Sequence, residues 1–477
     1  MCESLLTHKA SGSRFNEVKR TDSLTRSFLM SKKTKNIFMS GNTTEHIKEI
    51  IGFLNENADY AVLRNYEGLP DKNNSRDIDI IITRKSYKSI RQRLVELIDS
   101  SGWKIVTYLN SDRLISYVCA TTTEEKTEIV QWDFFFDTSV WGVQLMSAEE
   151  FLEHKQFNGF LYYVGVECQF LDKILYNSAV GSKYPEKYKA TRDAAENSDI
   201  VKSKLKQIFG CNTVEECEKK RGKGLFLRAL WSNIKRRPFA LLANILHFLY
   251  TFIGNYMLSR TGFSIGFTGP DGSGKTTVID TILERIAPVF KSAHRYYHFR
   301  PALFGNLGEV AHSAGIKKEV DRNYSDPHRG GRTGKLNSFL RLCYYSIDYI
   351  IGYFVKVKSV TRITRVVVFD RYYTDIICDS RRSRIYLSPK FLYLWGKLFI
   401  PTLNYNLLLT ASSDTILARK RELDEEGIKT INAKIDYLAG KKGYTKVLNE
   451  NTPQVAVYEI LNYVFNEQHK KNIKRLK

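Results

Sequence analysis

Apolar and polar positions along the chain change their period several times, and each change marks an element. Over residues 46–54 apolar side chains recur at three- and four-residue spacing, which predicts a helix. Residues 61–64 and 78–82 carry aliphatic runs that read as strands, separated by a turn rich in Pro, Asp and Asn. The helical period returns over 87–98, and residues 104–109, 115–120 and 128–136 are strand-like. These elements predict a mixed α/β domain over residues 41–195. From residue 263 onward, short apolar runs at 263–267, 365–369 and 405–409 alternate with helical stretches, among them 277–286 and an aromatic one at 339–354. That alternation predicts a parallel sheet covered by helices on both faces over residues 263–477.

Between these regions lies a basic connector, residues 196–262, with one unusual segment. Residues 238–259 contain no Asp, Glu, Lys or Arg. Asn244, His247, Thr251 and Asn255 recur there at three- and four-residue spacing, a narrow polar stripe on an apolar helix. Three readings stay open. The helix packs against the C-terminal domain; or residues 235–258 lie in a membrane interface, with Lys235, Arg236 and Arg237 meeting anionic headgroups; or the segment spans a bilayer.

Length and composition narrow the class. A chain of 477 residues holds two or three ordinary domains, and 43% hydrophobic with 26% charged residues is the composition of a globular protein rather than a disordered one. The seven cysteines form no CxxC pair and have no His at zinc-ligand spacing, so reduced thiols in the cytosol are expected. The net charge of +22 is concentrated: residues 1–36, 201–240 and 468–477 contribute +5, +8 and +5. Such basic stretches either stay solvated or meet nucleic acid, anionic lipid or a polyanionic glycan; nucleic acid is not the expected partner. The N-terminus lacks a signal-peptide pattern, so the protein reads as cytoplasmic, touching at most the inner face of a membrane; residues 1–40, with Met30 and Met39 before the first periodic segment, read as a flexible extension or as an over-called start.

The chemistry centres on Gly269-Pro270-Asp271-Gly272-Ser273-Gly274-Lys275-Thr276-Thr277, which satisfies GxxxxGK[ST] between a predicted strand and a predicted helix. The glycines let successive backbone N–H groups turn toward a phosphate, the helix N-terminus adds positive charge, Lys275 can bridge β- and γ-phosphates, and the Thr276 hydroxyl can ligate magnesium. Asp370 ends an apolar strand, where ligands bind in open α/β sheets, and Arg371 follows it, with Tyr372, Tyr373 and Asp375 completing the cluster.

With these residues in place, the chain from residue 263 onward resembles the thymidylate kinase family of P-loop kinases. The likeness rests on the acid-containing P-loop with Asp271, on Asp370-Arg371-Tyr372, and on Asp414 to Arg421. It implies ATP and magnesium as cofactors, Asp370 as a magnesium-side carboxylate, and Arg419 and Arg421 as lid arginines closing over phosphates. Residues 432–438, with Tyr437, resemble the helix after that lid, and residues 454–465 the family's last helix.

The likeness is broken in one place. Before Asp370 the chain has His298-Phe299-Arg300-Pro301 and the motif 326–332, where the family carries Arg-Glu-Pro; Arg300 stands in for that arginine, and Arg300 and Arg371 are expected to face the acceptor. Arg381, Arg382 and Arg384 also suit an anionic acceptor. These features resemble a divergent branch of the family associated with bacterial surface-polysaccharide synthesis. They imply a phosphotransferase for a sugar, glycan or nucleotide-type acceptor. A true deoxynucleoside monophosphate kinase and a nucleotide-gated binding module on membrane or nucleic acid stay open as alternatives, as does a homodimer.

Asp77 and Asp79, two residues apart on a strand, share a face, and Asp133 on a second strand supplies a third carboxylate. Three such groups can hold magnesium for nucleotidyl transfer. Residues 58–140 therefore resemble the nucleotidyltransferase superfamily, with Asp77, Asp79 and Asp133 as its metal triad, although Arg64-Asn65-Tyr66-Glu67-Gly68 stands where that superfamily has a Gly-Ser turn. An active transferase, a binding or scaffolding domain of that fold, and an unrelated α/β domain are the readings this leaves.

Overall fold

The computed structural model describes residues 37–38, 41–73, 77–255, 261–290, 294–304, 333–362 and 365–476; the extension up to residue 36, Arg76 and the 326–332 motif lie outside them. Two compact units share the chain: one contains residues 41–91, 112–114 and 133–249, the other 92–111, 115–132 and 250–476.

The elements before residue 165 build a mixed sheet. Its strands are β1 (Tyr60–Val62), β2 (Asp77–Ile82), β3 (Lys104–Asn110), β4 (Leu114–Thr122), β5 (Thr127–Phe135), and, beyond the separate hairpin of β6 (Asp137–Val140) and β7 (Val143–Ser147), β8 (Lys155–Phe157) and β9 (Tyr162–Val164). The seven strands of the sheet lie in the order β8-β9-β1-β2-β5-β4-β3. β1 runs antiparallel to β2 and parallel to β9. Helices α1 (Gly41–Asn57) and α2 (Arg84–Ser100) follow the expected helical periods, α1 about two turns longer than predicted and α2 a turn or so longer.

In the first unit, α3 (Ala148–Leu152) starts on a capping box, Ser147 and Glu150 each satisfying the other's backbone N–H. Helix α4 (Val166–Val180) supplies Cys168, Phe170, Leu171, Ile174 and Leu175 to the core. After α5 (Lys189–Ala195), residues 199–236 form three further helices, α6 (Asp199–Phe209), α7 (Val214–Lys220) and α8 (Lys223–Arg236). Their Val201, Leu205, Ile208, Val214, Leu225 and Ala229 enter that same core. Basic composition masked this in the sequence: apart from Lys204, buried against Glu150, the basic residues lie toward the outer faces, and a regular apolar row lies beneath. The uncharged segment is α9 (Pro238–Ile253). Among the described residues no helix is long and apolar enough to cross a membrane.

The second unit is organised by five parallel strands, β10 (Phe263–Thr268), β11 (His294–His298), β12 (Val366–Asp370), β13 (Tyr405–Thr410) and β14 (Tyr444–Leu448), in the order β11-β12-β10-β13-β14. Burial on both faces explains why the three inner strands, β10, β12 and β13, read as unbroken apolar runs. Alternate residues of β12 serve opposite layers: Val366 and Val368 pack with Val278, Ile279 and Ile282 of α10 (Lys275–Phe290), and Val367 and Phe369 with Leu342 and Tyr349 of α11 (Lys335–Gly352). Short helices α12 (Tyr373–Cys378) and α13 (Ser380–Ser383) follow β12, then α14 (Pro389–Phe399), α15 (Ser413–Arg419), α16 (Glu425–Ala439) and α17 (Pro453–Leu476).

The last helix, expected to end near residue 465, runs to Leu476. Its final turns are anchored: His469 Nδ1 accepts from the Ile105 amide at 3.0 Å, and Asn472 Nδ2 donates to the carbonyls of Ile105 and Val106 at 2.9 and 3.0 Å. These bonds satisfy backbone groups of β3, an outer strand of its sheet.

Candidate functional site

The chain leaves β10 through the glycine loop and enters α10 at Lys275. Gly272 and Gly274 adopt φ of +87° and +83°, a region glycine alone enters freely. At Gly274 a β-carbon would stand 2.4 Å from Asn449 Nδ2, whose amide donates to the Ser273 carbonyl at 2.9 Å and holds the loop from below. Lys275 lies buried inside the loop, its ammonium donating to the Gly269 and Pro270 carbonyls at 2.9 and 2.7 Å. Burial, reinforced by the nearby Arg371, pulls its pKa down to about 7. Thr276 and Thr277 are exposed at the first turn of α10.

Parallel pairing fixes what faces this loop. Phe267 of β10 is in register with Asp370 of β12, so the carboxylate arrives at the same end of the sheet as the glycine loop. Tyr296 donates its hydroxyl to Asp370 Oδ2 at 3.2 Å, and His298 Nε2 stands 3.9 Å from the same oxygen. Asp370 Oδ1 is buried with no hydrogen-bond partner among the described residues. An unpaired carboxylate oxygen beside a glycine cradle at a helix N-terminus fits a phosphate-bound divalent cation, which Asp370 could hold together with a hydroxyl at the first turn of α10.

Arg371 has a positive φ of 74°, and its amide bonds to the Phe267 carbonyl at 2.8 Å. Where an acceptor-facing arginine was expected, its guanidinium turns into the protein, bridging Asp375 at 2.6 Å and the P-loop carboxylate Asp271. Arg382 also binds Asp271, and it reaches Asp379 at 3.4 Å. Burial raises the Asp375 pKa while Arg371 opposes it. The acid of the P-loop is thus clamped by two arginines, a link between loop and strand end rather than a free charge.

Arg300 lies in a different environment. Its guanidinium pairs with Asp348 of α11 at 2.6 Å, both side chains buried, and stacks over Tyr345. Asp348 also accepts from the amides of Ala302, Leu303 and Phe304. Arg419 donates to the carbonyls of Asn449, Glu450 and Asn451, so it ties α15 to the segment after β14, while Arg421 is exposed beyond the helix.

In the first unit Asp77 and Asp79 on β2 and Asp133 on β5 each place a carboxylate oxygen within 4.8 Å of the others. Burial, together with the neighbouring carboxylates, pushes Asp79 up to about 7, although Arg64 pulls the other way. Arg64 contacts Asp79 at 2.6 Å and Asp172 at 2.8 Å. Thr138 donates to Asp172 at 2.6 Å; burial of Asp172 is outweighed by Lys173 and Arg64, which hold it near 2. Three convergent carboxylates, with Asp79 Oδ1 buried and unpartnered among the described residues, are a hard-oxygen donor set suited to magnesium or manganese.

No family model and no curated protein matches this chain. Among solved structures it is similar to a thymidylate kinase from Ehrlichia chaffeensis, with 13% identity and a TM-score of 0.30, over 43% of this chain and 98% of that one. A likeness at that level carries no argument, and the site is read from its own geometry.

Several participants escaped sequence reading. Arg382 looked like one of three equivalent basic residues, yet it grips Asp271. Asn449, which supports the phosphate loop, has no local signal because it lies 176 residues away. Arg64 was visible only as a departure from an expected turn; its double ion pair depends on Asp172, which α4 brings from far along the chain.

Proposed function

We propose that the second unit is an ATP-dependent phosphotransferase acting on a sugar, glycan or nucleotide-type acceptor, with surface-polysaccharide synthesis as its setting. The observation that carries this reading is the juxtaposition of the positive-φ glycine loop, the buried Lys275 and the unpartnered Asp370 oxygen at one end of a parallel sheet. Backbone N–H groups of 272–277 cradle the phosphates of ATP. Negative phosphate charge draws the Lys275 pKa back up from about 7, so the ammonium carries its proton when the nucleotide is in place. Thr276 and Asp370 would hold magnesium, which when bound neutralises charge on the phosphate oxygens. Asp271, gripped by Arg371 and Arg382, fixes the loop against the strand end, so catalysis is positioning and electrostatics more than proton chemistry. Arg419 and Arg421 stand on the segment proposed to close over the phosphates. The engagement of Arg300 with Asp348 favours a positioning role for it, which removes one contact that a deoxynucleoside monophosphate acceptor would need.

ATP consumption by the purified protein, measured against deoxynucleoside monophosphates, sugars and lipid-linked or reducing-end glycans, tests the reading. Stimulation by a sugar or glycan alone supports it, and stimulation by thymidylate makes the protein a nucleotide kinase instead. Lys275→Ala is expected to lower turnover by roughly a hundredfold or more. Undiminished turnover in that variant sinks the assignment, and slow hydrolysis with no phosphorylated acceptor points to a nucleotide-gated module.

A second reading is favoured by the carboxylate triad: the first unit takes a divalent cation and carries out nucleotidyl transfer, with Asp77, Asp79 and Asp133 as ligands. Arg64, already paired with Asp79, lowers the positive charge such a site needs from a metal.

A further inference from the structure

Helix α9 is amphipathic in the reverse sense. Surface helices of globular proteins bury their apolar stripe and expose the polar one. In α9, Thr251 is buried and Asn244 and His247 are half-buried, while Phe239 is 87% exposed, Tyr250 77%, and Leu242 and Leu246 57% each. At 100° per residue, Phe239, Leu242, Leu246, Leu249, Tyr250 and Ile253 fall on one face, opposite Asn244, His247 and Thr251.

The inward setting of the polar stripe is built, not incidental. Asn244 and His247 line a small polar recess with Arg84, Asp112, Asp137 and Ser139. Gly142, at φ +83°, lets the helix backbone close in: a β-carbon there would stand 2.8 Å from the Asn244 carbonyl oxygen and 2.8 Å from the Ile245 Cα. Leu241 is buried in the first unit's core and Ile245 packs against it. The helix is therefore held with its aliphatic and aromatic side chains facing out.

Charge says what covers that face. No Asp or Glu occurs from residue 219 to residue 270, while Lys219, Lys220, Arg221, Lys223, Arg228, Lys235, Arg236, Arg237 and Arg260 do. Lys235 and Arg236, immediately before the helix, are exposed. A second copy of this surface would set like charge against like. The helix of 16 residues is about 24 Å long, short of the ~30 Å hydrocarbon core.

We propose that α9 docks the protein on an anionic lipid bilayer, lying in the plane of the interface with its outward apolar row in the acyl boundary and the preceding basic residues among the headgroups. This holds whatever the second unit phosphorylates.

The test is co-sedimentation of the full-length protein with phosphatidylcholine vesicles, with and without phosphatidylglycerol. Binding is expected to the anionic vesicles and to fall with added salt. Leu242→Gln/Leu246→Gln, changed at exposed positions and checked for an unaltered Tm, is expected to bind at least about tenfold more weakly, because it removes two leucines' worth of buried apolar surface. Lys235→Glu/Arg236→Glu is expected to abolish the preference for anionic lipid. Failure of the wild type to sediment with anionic vesicles overturns the proposal. So does equal binding by the leucine variant, or a wild-type dimer in solution that the leucine variant dissociates.

Discussion

Lys275 illustrates how much one position depends on its surroundings. The sequence places a lysine after a glycine loop; the fold buries it and lowers its pKa from 10.5 to about 7. Between those values the unfolded chain binds the proton and the folded one does not, so folding stability rises with pH from 7 toward 10.5, and the burial penalty is fullest below 7. The expected outcome is that the nucleotide-free wild type gains Tm relative to Lys275→Met as pH goes from 7 to 9. Parallel curves for the two proteins would show that the lysine is not buried as described. Asp271 depends on context in the same way: clamped by Arg371 and Arg382, it acts through the loop it anchors.

At the scale of elements, the buried pair Arg300–Asp348 joins the segment after β11 to helix α11. That segment is strained, with Phe299 at φ 68° and Ala302 at φ 51°, and Asp348 holds it through three backbone amides. Removing one member of a buried pair leaves the other uncompensated, at a cost of about 3 kcal/mol or more. Arg300→Met is expected to lower stability to denaturant by that amount, and Asp348→Leu by more, because it also orphans three N–H groups. An Arg300→Met protein of unchanged stability but raised KM for the acceptor would place the guanidinium at the substrate instead. Element boundaries show the same influence of tertiary contacts: α17 outruns its apolar pattern because Gln468, His469 and Asn472 are buried.

Across the whole molecule, the two candidate sites draw on separate units. Asp77, Asp79, Asp133 and Arg64 all belong to the first, and the residues from Gly269 to Thr277, with Asp370, Arg371 and Arg382, all belong to the second. Their ligand responses are therefore expected to be independent. Manganese without nucleotide should raise Tm in the wild type and in Lys275→Ala, but not in Asp79→Asn, since a ligand stabilises only the folded form that binds it. ATP-dependent transfer should survive Asp79→Asn. Loss of the manganese response in Lys275→Ala would assign that cation to the phosphate loop and remove support for the carboxylate triad as a metal site.

Local pattern sufficed wherever the physics was local. The fully buried parallel strands, the glycine loop before Lys275, the carboxylate at the end of β12 and the Asp77–Asp79 pair on one strand face were all legible, because burial on two faces, positive φ and a period of two leave marks on adjacent residues. What the fold alone decided were pairings between distant residues: Arg382 with Asp271, Asn449 with Ser273, Arg64 with Asp172, Arg300 with Asp348. It also decided which way α9 faces. A helical stripe in the sequence gives the spacing of polar and apolar residues, but only the surface it packs against, here a polar recess beside Gly142, determines which stripe turns inward.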